Sequence, residues 1–121
     1  MKSIILDNGI KVQYLNRPEL SLFTLNLFLL KGAVYDPPNK EGVAHFVEHI
    51  LMKGPKYFKS SIEFSQFLEN RGIEFDGHTT PDYICLNIKC HQSEAYKATK
   101  LMIDMLTEPS IRPTDISNEK K

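Results

Sequence analysis

One ten-residue segment restricts the possible folds more than any other part of the chain: Gly42-Val43-Ala44-His45-Phe46-Val47-Glu48-His49-Ile50-Leu51. Its polar side chains are His45, Glu48 and His49; the other positions are apolar or small. The pattern predicts a helix over residues 41–52, ended by Gly54-Pro55. On that helix His45 and His49 stand one turn apart on the same side, and Glu48, three residues after His45, shares their face. Val43, Phe46, Val47, Ile50 and Leu51 cover the remaining faces, so the helix should be largely buried. The polar trio then faces a cleft rather than bulk solvent. Two imidazoles so placed suit one Zn²⁺. A neighbouring carboxylate can accept a proton from water that the metal acidifies. The plain alternative is a helix with two surface histidines and a solvated Glu. Chance alone produces such a pattern in about one chain of this composition in a hundred.

The rest of the chain alternates between strand and helix signals. Residues 4–6 and 10–15 flank Asp7-Asn8-Gly9, which has hairpin-turn chemistry. Residues 21–30 read as a long strand with Phe23, Leu25, Leu27 and Leu29 on one face and Leu22, Phe28 and Leu30 on the other. Apolar residues on both faces predict a central place in a sheet. Asp36-Pro37-Pro38-Asn39 is a loop, and Ser60 with Glu63 forms a capping box for a helix ending at Gly72. Residues 73–75 and 82–90 read as strands, with His78 on the loop between them. Residues 93–106 form an amphipathic helix carrying Ala95, Ala98, Leu101, Met102, Met105 and Leu106. A last helix starts with Thr114 as N-cap and has barely two turns before Lys121.

Fifteen basic residues balance fifteen acidic ones, which gives no reason to expect nucleic acid or an anionic membrane as partner. No apolar run reaches the length of a membrane span. The first residues match neither a signal peptide nor a transit peptide. Cys85 and Cys90 lie on opposite faces of one predicted strand and cannot pair with each other. Reduced thiols and the missing leader predict a cytoplasmic location.

The order H-x-x-E-H is the inverted zinc-peptidase motif. With its flanks, the chain resembles the insulinase/pitrilysin family, which includes mitochondrial processing peptidases and bacterial relatives. The likeness runs from Leu6-Asp7-Asn8-Gly9-Ile10-Lys11-Val12 through Gly32-Ala33, the motif itself and Lys53-Gly54. It returns at Leu68-Glu69-Asn70-Arg71-Gly72 and Thr79-Thr80-Pro81-Asp82-Tyr83, and closes with residues 101–109. The resemblance implies an α+β fold, a mainly antiparallel sheet with helices packed on one face. It implies a Zn²⁺-dependent metalloendopeptidase with His45 and His49 as metal ligands and Glu48 as general base. It also implies peptide substrates that add as a strand to the sheet edge at Asp76, Gly77 and His78.

The pattern departs from the family in three places. Family members draw a third zinc ligand from a Glu roughly seventy-five residues beyond the second His. Here 72 residues follow His49 (121 minus 49), so that Glu is missing. Glu119 instead matches a family acid two helical turns earlier that supports the site. His78 is a substitute ligand to weigh, although a surface or substrate-contacting role fits it better. Second, Asp76-Gly77 stands where the family commonly has Asn-Ala. Third, family peptidases enclose substrate between several domains or chains. The expectation is therefore one domain, residues 1–121, forming the N-terminal portion of a catalytic domain. Alone it should be inactive or weak, and a partner domain or chain should complete it as a homo- or hetero-oligomer. The alternative is a non-catalytic peptide-binding or partner subunit. S-ribosylhomocysteine lyase shares the inverted motif but needs a later Cys, and none follows Cys90.

Overall fold

The computed structural model describes residues 1–120. Two antiparallel sheets and four α-helices lie among them. Strands β1 (Lys2–Ile5) and β2 (Lys11–Tyr14) form a hairpin, with Ile4 opposite Val12. Leu6 N–H and Ile10 O close it at 2.9 Å, and Gly9 N–H returns to Leu6 O.

The main sheet contains β3 (Leu22–Leu29), β4 (Glu74–Thr79) and β5 (Ile84–His91), in the order β3-β5-β4. The central strand is therefore β5, and β3 lies at an edge, contrary to the sequence expectation. Apolar residues on both faces of β3 were the misleading signal. Leu22 and Phe28 are 58% and 52% exposed, so its second face is not buried by the described residues. Strand β5 instead buries Ile84, Cys85, Leu86 and Ile88. Strand β4 runs through Asp76-Gly77-His78, so His78 belongs to a strand rather than a loop. Pairing in register with Asn87, Leu86 and Cys85 outweighs the poor strand propensity of Asp and Gly.

Helices α1 (Val43–Leu51), α2 (Ser61–Asn70) and α3 (Ala95–Thr107) pack on one face of this sheet. Leu86 and Ile88 meet Phe64 and Leu68 of α2, Leu101, Met102 and Met105 of α3, and Ala44 and Leu51 of α1 in one cluster. Burying each large apolar side chain there contributes roughly 1.5–3 kcal/mol. Helix α1 starts two residues later than expected. Asp36 caps it from the preceding loop, accepting Gly42 N–H at 2.8 Å and Ala44 N–H at 2.9 Å. Ser60 caps α2 through Glu63 N–H, as the sequence indicates. The Glu63 carboxylate reaches back to Lys59 N–H, one residue before the usual partner in a capping box. A short 3₁₀ turn, Gln92–Glu94, precedes α3.

Helix α4 (Pro113–Lys120) begins at a proline, and Thr114 lies inside its first turn rather than at the cap. Proline suits that position because the first helical N–H needs no partner within the helix. Two loops hold α4 against α1. Ser110 N–H donates to Gly54 O at 3.1 Å, and Lys56 N–H to Glu108 O at 2.8 Å. Gly54 has φ +91°, and a Cβ there would stand 2.5 Å from the Phe64 ring, so glycine is required on both counts. Arg112 donates to Phe58 O at 2.8 Å and Lys53 O at 3.3 Å while pairing with the buried carboxylate of Asp115.

Candidate metal centre

Helix α1 places His45 and His49 one turn apart, and their rings meet edge to face with centroids 4.2 Å apart. The two Nε2 atoms are 2.8 Å from each other. Glu48 Oε2 lies 4.0 Å from His45 Nε2. One donor atom from each of the three residues falls within 4.8 Å of the others. Glu48 is 6% exposed, whereas the His45 side chain is 64% exposed, so the group opens to solvent on the His45 side.

Two neighbours orient the trio. Thr79, at the end of β4, donates its hydroxyl to Glu48 Oε2 at 2.7 Å. Glu119, on α4, receives His49 Nδ1 at 2.6 Å and Lys53 Nζ at 2.7 Å. The Lys53 ammonium, and after it His49, hold the Glu119 carboxyl below the usual range. With Nδ1–H given to Glu119, a neutral His49 presents a lone pair at Nε2. The donor set suits zinc: two imidazole nitrogens converge on one point with a carboxylate beside them. Two nitrogens bound to one tetrahedral zinc sit about 3.3 Å apart, so a small parting of the rings admits the ion.

The other candidate residues lie on β4. Thr80 N–H donates to Tyr83 O at 2.8 Å, which fixes the pairing phase of the strand. Backbone groups of Glu74, Asp76 and His78 therefore turn toward β5, and those of Phe75, Gly77 and Thr79 turn to the free edge. Side chains alternate across the sheet: positions 75, 77 and 79 face the helices, and 74, 76 and 78 face the open side. A Cβ at Gly77 would stand 3.3 Å from Glu48 Cγ and 3.2 Å from Met52 Sδ, so the strand passes directly beside α1. His78 points the other way, its ring 6.0 Å from that of Tyr83, and it does not join the trio. Sequence reasoning assigned no role to Thr79, Lys53 or Asp36. For Thr79 the available signal was its two-residue spacing from Gly77 on one strand face.

The fold, a three-stranded antiparallel sheet with helices on one face, is shared with peptidase structures, and in this chain a histidine pair lies beside the sheet edge. Pitrilysin superposes with a TM-score of 0.86 at 23% identity, over 98% of this chain and 13% of pitrilysin. The family profile "Insulinase (Peptidase family M16)" matches residues 11–121, and the chain belongs to that family. Among relatives, a protein named uncharacterized zinc protease YmxG of Bacillus subtilis is 23% identical over 120 residues, 99% of this chain and 29% of that protein. The mitochondrial-processing peptidase subunit beta of Mus musculus is 26% identical over 115 residues, 95% of this chain and 23% of that subunit. The chain thus spans less than a third of the length of either relative.

Proposed function

We propose that this chain carries the zinc-binding and proton-accepting part of a metalloendopeptidase site, with His45 and His49 as ligands and Glu48 as general base. One observation carries the reading: two imidazole Nε2 atoms converge at 2.8 Å beside a buried carboxylate that a hydroxyl holds in place. Bound zinc supplies Lewis acidity, polarising a carbonyl oxygen and acidifying water near neutral pH. Glu48 receives the proton of the attacking water on its carboxylate and returns it to the leaving amine. Thr79 keeps that carboxylate aimed, and Glu119 keeps His49 in the tautomer whose Nε2 can bind. An extended peptide pairs with the outward-facing backbone groups of Phe75, Gly77 and Thr79, bringing a scissile bond alongside Glu48.

A partner domain or a second chain completes the site. The exposure of His45 supports this, because the chemistry needs water excluded around the ligands. A relative named as a subunit supports it too. The two buried free thiols support a reducing, cytoplasmic location. A non-catalytic peptide-binding or partner subunit is the second reading, favoured by the same openness at His45.

Peptide cleavage, measured with and without Glu48→Gln, separates the two readings. The 121-residue chain alone should cleave very weakly, because two imidazoles hold zinc loosely. Joined to its completing domain or chain it should cleave a peptide, and Glu48→Gln should lower the rate by about 10²–10⁴-fold while zinc stays bound. Zinc retained without cleavage in the completed assembly would refute the enzymatic reading.

A further inference from the structure

The free edge of β4 is not fully open. Of the three backbone N–H groups that face outward, that of Gly77 donates to Oδ1 of Asp76 at 2.8 Å. A carboxylate on a neighbouring side chain thus occupies the position where the carbonyl oxygen of an added strand would sit. The bond is charge-assisted, and Gly77 lies in the middle of the edge, between Phe75 and Thr79. It also passes directly beside Glu48 and Met52. A strand cannot pair with Gly77 until the carboxylate moves.

We infer that Asp76 is a specificity-determining latch on the substrate edge, one that favours peptides with a basic side chain opposite it. The inference rests on the strand-addition reading above. The reason is geometric. Residues directly opposite in paired strands project to the same face of a sheet. The peptide residue paired with Asp76 therefore sends its side chain to the open face, where Asp76 and Glu74 are both exposed. A Lys or Arg there gives the displaced carboxylate a new partner on that face, so release from Gly77 N–H is compensated. A neutral residue leaves the carboxylate to compete with the peptide carbonyl. Asp76 faces the neutral Asn87 on β5, so the residue opposite it does not offset its charge.

Two measurements on the whole chain test this. The first is amide hydrogen exchange at Gly77 without peptide. Asp76→Ala should speed exchange at Gly77 by about fivefold or more, with the amides of β5 unchanged. Unaltered exchange at Gly77 would show that the latch does not exist. The second is binding of two extended peptides that differ only in Lys or Thr opposite Asp76, followed by affinity and by the amide signals of β4. The wild type should prefer the Lys peptide by about two- to fivefold. Asp76→Ala should strengthen binding of the Thr peptide and abolish the preference. If peptides shift the amides of Phe75, Gly77 and Thr79 but the preference survives Asp76→Ala, the latch is wrong and strand addition stands. If peptides bind without moving those three amides, or do not bind at all, strand addition fails and the latch fails with it.

Discussion

At the scale of single residues, the site depends on side chains that fix other side chains. Glu119 touches His49 at Nδ1, and Lys53 keeps that carboxylate ionised. Replacing Glu119 with Gln should weaken zinc binding by about 10–100-fold, read by competition with a chelator, without loss of helix content. Far from the site, Asp104 on α3 accepts bonds from Lys100 and from the Tyr57 hydroxyl, each at 2.8 Å. Those bonds, that of Lys100 first, lower its pKa. A carboxylate so lowered stabilises the fold above its unfolded value of about 3.9, and that contribution disappears as pH falls through the lower folded value. Asp104→Asn should therefore melt earlier than wild type at neutral pH, and the gap should close as pH drops below about 4. Thermal melts across pH 2–7 (about one-unit steps suffice) check this.

At the scale of elements, α1 carries His45, Glu48 and His49, and its start is held from outside the helix. Asp36 satisfies two of the N–H groups that an unassisted helix start leaves bare. Asp36→Ala should cost about 1 kcal/mol, seen as a melting point lower by several degrees in calorimetry. Helix α4 owes its place to Arg112, which ties Asp115 to the carbonyls of Phe58 and Lys53. Arg112→Ala leaves the Asp115 carboxylate buried without its cation, at a cost of roughly 1–3 kcal/mol. Glu119 rides on the same helix, so the variant should also bind zinc less tightly than wild type, as native mass spectrometry can read. The internal pattern of α1, α2 and α3 is plain in the sequence, because apolar spacing and the Ser60 cap are local signals. The distant cap at Asp36 and the anchor at Arg112 are not, since each joins segments that become neighbours only on folding.

At the scale of the whole molecule, the main sheet ends in two edge strands, β3 and β4, and the histidine pair stays half open. The outer face of β3 shows Leu22 and Phe28, and the free side of β4 shows the backbone groups of Phe75, Gly77 and Thr79. Exposed edges of this kind attract another strand. Zinc titration followed by native mass spectrometry should find the metal held tightly only in species larger than the single chain. Tight stoichiometric zinc in a monomer would instead show a self-sufficient site. The sequence by itself determined the helix that carries His45, Glu48 and His49, because residues one turn apart on a helix must share a face. It also carried the motifs whose resemblance to the insulinase/pitrilysin family implied the α+β class. Only the tertiary structure decided that β5 rather than β3 is central, that Thr79 reaches Glu48, and that Asp76 holds Gly77 N–H at the free edge of β4. Each of those follows from strand order and pairing phase, which depend on contacts between distant segments and leave no mark in local periodicity.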